Sequence, residues 1–124
     1  MSNVSMRNIL WTLGRKKYKT YDDFIVAVTD YNNYICREPG LTNSWNPDEE
    51  ISQQSILVVY EAGWKDEDAT ISLEIGEDDR ALTMGRFLFS LNNTTYDFFK
   101  DADCCFFEGL ELVNGNKYEL WTGS

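Results

Sequence analysis

SILVVYEAGWKDEDATISLEI, residues 55–75, decides the fold class. Its opening, Ser55 to Glu61, is a β-branched, apolar run of the kind that forms a buried strand. Its close, Ala69 to Ile75, alternates instead. Ile71, Leu73 and Ile75 fall on one side, with Thr70, Ser72 and Glu74 on the other. Such a strand has one wet face. AGWKDED, between the two, suits a hairpin loop. A hairpin with an apolar face must be covered, so the flanking sequence should supply helices and further strands.

Downstream, Thr83 stands as N-cap before Met84, Phe87, Leu88, Leu91, Thr95 and Phe98, which keep a 3.6-residue period. Asn92 and Asn93 lower the propensity of this helix without breaking it. Phe89 and Tyr96 fall off its main stripe, available to the preceding helix or to a second subunit. The tail, FFEGLELVNGNKYELWTGS, carries Asn114-Gly115 between apolar segments, a strong hairpin signal. It predicts strands over roughly 107–113 and 117–122.

Upstream, Thr20-Tyr-Asp-Asp23 has the form of a capping box. Phe24, Ala27, Val28, Tyr31 and Ile35 then make one helical face, which should end before Pro39-Gly40. Met6, Ile9, Leu10 and Leu13 sit at i, i+3, i+4 and i+7. That spacing predicts a further helix, capped by Ser5 and ended by Gly14. Residues 39–54 hold both prolines and read as a long loop around Trp45. The expected architecture is α+β: one domain over residues 1–124 in the order α-α-β-β-α-β-β. Its four-stranded, mostly antiparallel sheet packs against helices.

The composition excludes several function classes. The chain has 124 residues, 43% hydrophobic and 15% aromatic, enough for a core in one domain. No apolar run reaches the roughly 18 residues of a membrane span. There is no histidine, so chemistry that needs an imidazole is excluded. Cys36, Cys104 and Cys105 are an odd set with no framework spacing, and read as free thiols in a reducing compartment. The N-terminus lacks an apolar leader, so a cytoplasmic location is expected. Asn92-Asn-Thr94 and Asn93-Thr-Thr95 match glycosylation sequons on a predicted helix and carry no functional meaning there.

Catalytic and metal patterns fail one by one. Asp66, Asp68 and Glu77 are spaced like part of a calcium loop, but Ile71 occupies the position where that turn needs glycine. Phosphate-binding glycine loops and nucleophile elbows are absent. Glu108, beside Phe107 and near the cysteines, is the one acid in a strongly apolar context. A strand-edge carboxylate is the simpler reading of it. No enzyme activity, cofactor or metal site is expected.

Charge is the most informative feature. Residues 1–19 contain Arg7, Arg15, Lys16, Lys17 and Lys19 and no acid, whereas residues 20–124 contain six basic and 21 acidic residues. The chain as a whole carries −10, which disfavours nucleic acid as a partner. The acids gather as Asp48-Glu49-Glu50, Asp66-Glu67-Asp68 and Glu77-Asp78-Asp79. Two readings compete: a solvated surface that aids solubility, or a docking field for a basic protein. Trp45 and Trp64, each beside an acidic triplet, are the matching anchors, because a tryptophan rimmed by carboxylates has the make-up of an interface hot spot. Both tryptophans and all nine triplet residues are therefore candidate interface residues.

In size, acidity and lack of catalytic motifs the chain resembles the small immunity proteins with which bacteria neutralise toxins. That resemblance implies stoichiometric blocking of a basic toxin by the acidic surface. Separately, the lack of a long apolar run predicts no membrane partner. The alternatives from other classes are a structural or homo-oligomerising domain and, further off, a small enzyme or ligand-binding protein with a pocket near Glu108.

Overall fold

The computed structural model describes residues 4–6, 9–35, 43–62, 69–77, 80–100 and 106–123. The central hairpin forms as its alternation requires. Strand β3 (Ile56–Ala62) pairs antiparallel with β4 (Ala69–Ile75), placing Ile56 opposite Ile75, Val58 opposite Leu73 and Tyr60 opposite Ile71. These six side chains share the core face. The second hairpin joins β6 (Phe106–Asn114) to β7 (Lys117–Gly123). Its turn centres on Gly115-Asn116, one residue beyond the Asn-Gly pair, and Gly115 takes the positive φ of 50°. Asn116 ties the hairpins together. Its carbonyl accepts from Leu57 N at 2.9 Å, and its side-chain amide donates to the Ser55 carbonyl at 3.2 Å. That clamp sets β7 parallel to β3, with Leu57 beside Lys117 and Val59 beside Glu119.

The α+β class holds, and so does the succession helix, hairpin, helix, hairpin from residue 21 onward. The sheet has five strands rather than four, because β1 (Val4–Ser5) adds to the edge of β6; the order is β1-β6-β7-β3-β4. Within the expected 39–54 loop, β2 (Glu50–Ser52) pairs with β5 (Leu82–Thr83) as a separate ribbon.

Helix α1 (Tyr21–Ile35) starts where the capping signal places it, with Asp23 N donating to Thr20 Oγ1 at 3.2 Å. Phe24 and Val28 face the core. Helix α2 (Met84–Thr94) is capped by Thr83 and buries Phe87, Leu88 and Leu91. The expected single helix through Phe98 is broken at Thr95, whose hydroxyl donates back to the Leu91 carbonyl at 2.6 Å. This bond competes with helix continuation, and a short α3 (Tyr96–Phe99) follows.

The helix expected over residues 6–13 is not there. Met6 has φ 60°, Thr12 bridges Phe106 of β6, and Phe107 N donates to the Trp11 carbonyl at 2.9 Å. Ile9, Trp11 and Leu13 enter the core at alternate positions, an extended rather than helical rhythm. Asparagine side chains take the place of helical hydrogen bonds. Asn32 on α1 accepts from Leu10 N at 2.8 Å and donates to Leu10 O at 2.9 Å. Asn93 does the same for Tyr18, at 3.0 and 2.8 Å, and Asn92 donates to Lys16 O at 2.9 Å. Asn92 also accepts from the Trp11 indole at 3.0 Å. Asn92 and Asn93, expected only to weaken α2, thus fasten the 10–18 strap to that helix, while Asn32 fastens it to α1; Asn32 and Asn92 are buried as they do so.

Candidate functional site

Because the helices and the strap cover one side of the sheet, strand alternation sends the other residues outward. From β3 these are Leu57, Val59 and Glu61, and from β4 Thr70, Ser72 and Glu74. From β6 and β7 they are Glu111, Lys117, Glu119 and Trp121. None is buried. Val113, displaced by the bulge between Leu112 and Asn114, is 47% exposed, and Trp121 is 41% exposed.

The strand order turns these positions into a charged field. Glu111 lies directly opposite Glu119, and Glu119 in turn lies beside Val59. Two residues further along their strands are Trp121 and Glu61. Lys117 and Glu74 flank Leu57 at the other end. A groove of about 290 Å³ runs among Val59, Glu61, Thr70, Val113, Lys117 and Glu119. Glu74 accepts from Ser55 Oγ at 3.3 Å. Among the described residues none of the four carboxylates makes an ion pair. Like charges directly opposite in a sheet destabilise it, so Glu111 and Glu119 hold their places at a cost to the fold.

The residues singled out by sequence occupy other places. Trp45 packs against the core edge, and its indole donates to Thr29 Oγ1 at 2.9 Å. It plugs the fold and does not stand out as an anchor. Asp48, Glu49 and Glu50 are exposed at the mouth of α2, where the Glu49 and Pro47 carbonyls accept from Met84 N and Gly85 N at 2.8 and 3.0 Å. Their negative charge complements the positive end of the helix. Glu77 pairs with Arg80, three residues on, at 3.2 Å. Trp64, Asp66, Glu67, Asp68, Asp78 and Asp79 lie outside the described residues, as do Cys36, Cys104 and Cys105.

Glu108 is exposed, with its carboxylate over Gly123. Phe89 is engaged within the chain, its ring 5.7 Å from Tyr21 and 5.5 Å from Phe24, as the first of its two expected contacts requires. Among the described residues no three His, Cys, Asp or Glu side chains gather in a way that would hold a metal ion. No helix among them is long and apolar enough to cross a membrane. Comparison with family models, curated proteins and solved structures finds no match to this chain.

Trp121 and the four glutamates of this face were not singled out by sequence. The available signal was the polar half of each alternating strand, Glu111 with Val113 and then Lys117, Glu119 and Trp121. What brings those halves together is the parallel β7–β3 pairing, a non-local feature.

Proposed function

We propose that this chain is a non-enzymatic binding protein that docks a basic protein on the uncovered face of its sheet. In the sharpest version it is a cytoplasmic, bacterial immunity or inhibitor protein that blocks a toxin. One observation carries the reading: on a face that no described helix covers, the exposed Trp121 stands beside Glu61 and Glu119, with Glu111 opposite Glu119, and Val113 and Glu74 toward the other end of the strands. An aromatic ring gives affinity once desolvated, while carboxylates on the same face that make no ion pair speed encounter and reject acidic partners. Long-range attraction of this kind weakens as salt shortens the Debye length.

The test begins with a basic protein encoded next to this chain, or one co-purified with it. Its association rate is measured against ionic strength, for the natural chain and for the double variant Glu111→Gln/Glu119→Gln. Association should slow as salt rises, and the variant should be slower at low salt with a flatter salt dependence. Binding indifferent to both salt and variant would sink the reading. The oligomerising alternative is separated by sedimentation, which for a docking protein shows a monomer across concentrations.

A further inference from the structure

We infer that the hollow between the strap and the start of β6 binds a small planar aromatic anion, its ring among Trp11, Tyr18, Tyr31 and Phe106 and its negative group on Arg15. The hollow measures about 350 Å³ and is lined by these five residues and Thr12. That size falls in the range of small-molecule sites. The Trp11 ring lies 6.2 Å from Tyr18 and 5.8 Å from Tyr31, the latter edge-on at 77°. Trp11 itself is fixed through its indole bond to Asn92, so the aromatic wall is built before any ligand arrives. Phe106 completes the lining and is 43% exposed, a large apolar ring left wet at the rim.

Polar groups then select the ligand. The Thr12 and Tyr31 hydroxyls lie 3.5 Å apart and can meet a ring heteroatom. Arg15 is exposed and makes no ion pair among the described residues, in a chain with 21 acids to choose from. An aromatic box alone would suit an organic cation. The guanidinium at its edge reverses that preference, because it repels cations and pairs with carboxylate or phosphate through two parallel hydrogen bonds. Lys16, Lys17 and Lys19 line a second hollow on which Tyr18 and Asp23 also border; Lys17 is paired with Asp97 at 3.9 Å and Lys16 Nζ sits 5.1 Å from the Tyr18 ring centroid, so the charge beside Arg15 remains net positive. Ring and charge together describe two sources of ligand, a nucleoside monophosphate or an aromatic carboxylate. Five of the six lining residues lie outside the named strands and Phe106 is the first residue of β6, so the Arg15 variant tests this site apart from the docking proposal.

The test titrates adenosine monophosphate, indoleacetate and inorganic phosphate separately into the full chain, following the Trp11 indole N–H by heteronuclear NMR. One of the two ring-bearing anions should saturate the shift while phosphate leaves it unmoved, and the one that binds identifies the source. Arg15→Gln should weaken that binding about tenfold or more, the worth of a charge-assisted hydrogen bond. Phe106→Ala should weaken it about fivefold or more through lost stacking. Both positions are exposed, and unchanged unfolding midpoints would show that the fold survives. The inference is overturned if neither ring-bearing anion moves Trp11 at millimolar concentration, if phosphate alone moves it equally, or if Arg15→Gln binds as tightly as the natural chain.

Discussion

Gly14 and Gly115 show how one backbone conformation serves two different purposes. Both have positive φ, 78° and 50°. Around Gly115 there is open space, so a methyl group there meets nothing. At Gly14 a Cβ would stand 2.5 Å from the Phe99 carbonyl carbon and 2.6 Å from its oxygen, both backbone atoms that cannot swing aside. Gly115→Ala should therefore cost only the left-handed strain, about 1 kcal/mol. Gly14→Ala adds a collision and should cost about 3 kcal/mol or more. Urea denaturation of the two variants separates these costs, and equal losses would contradict the close approach of the strap to α3. Tyr18 makes a second claim at this scale. Its pKa is raised above 10.0 by burial, so the folded chain holds that proton more tightly than the unfolded one. Its contribution is fully present below the ordinary value and is lost as pH rises past it toward the folded value. Stability of the natural chain should fall more steeply above about pH 10 than that of Tyr18→Phe, as melting temperatures across that range would show.

At the scale of elements, the hairpins, α1 and the cap of α2 were legible because their signals are local. Alternation, a Thr20 or Thr83 cap and a glycine turn each act within a few residues. The strap was not, because residues 6–13 carry two rhythms at once. Met6, Ile9, Leu10 and Leu13 satisfy a helical period, while Ile9, Trp11 and Leu13 satisfy an extended one. The choice is made from outside by asparagines on α1 and α2, which complete the strap's backbone hydrogen bonds without a helix. Asn32 bears most on that choice: it is fully buried and bonds Leu10 N, Leu10 O and Val28 O. Asn32→Leu keeps the branched heavy-atom shape, though with bulkier methyl groups, and strands the Leu10 amide and carbonyl. The expected loss is about 3 kcal/mol or more, since each buried unsatisfied group costs about 1–3 kcal/mol. Limited proteolysis should then cut the 10–18 strap first. A variant as stable and as resistant as the natural chain would show that the strap is held by its apolar side chains alone.

For the molecule as a whole, the question is what its negative charge is for. The triplets conspicuous in sequence have local duties where they are described: Asp48-Glu49-Glu50 at the mouth of α2, and Glu77 against Arg80. The carboxylates without such duties are spread along four strands, which is why no run of sequence announced them. Glu111 and Glu119 carry the sharpest consequence, because they face each other directly with no ion pair to either among the described residues. Glu119→Lys converts a repulsive cross-strand pair into an attractive one. It should stabilise the fold by about 0.2–1 kcal/mol at low salt, the range of such pairs. The gain should shrink as salt screens exposed charges. If the face docks a basic protein, the same substitution must slow association, so stability and binding move in opposite directions. If the face is only solvated, stability rises and association stays as it was. Measuring unfolding and association on this one variant, at low and high ionic strength, decides between a surface kept for solubility and a surface kept for a partner.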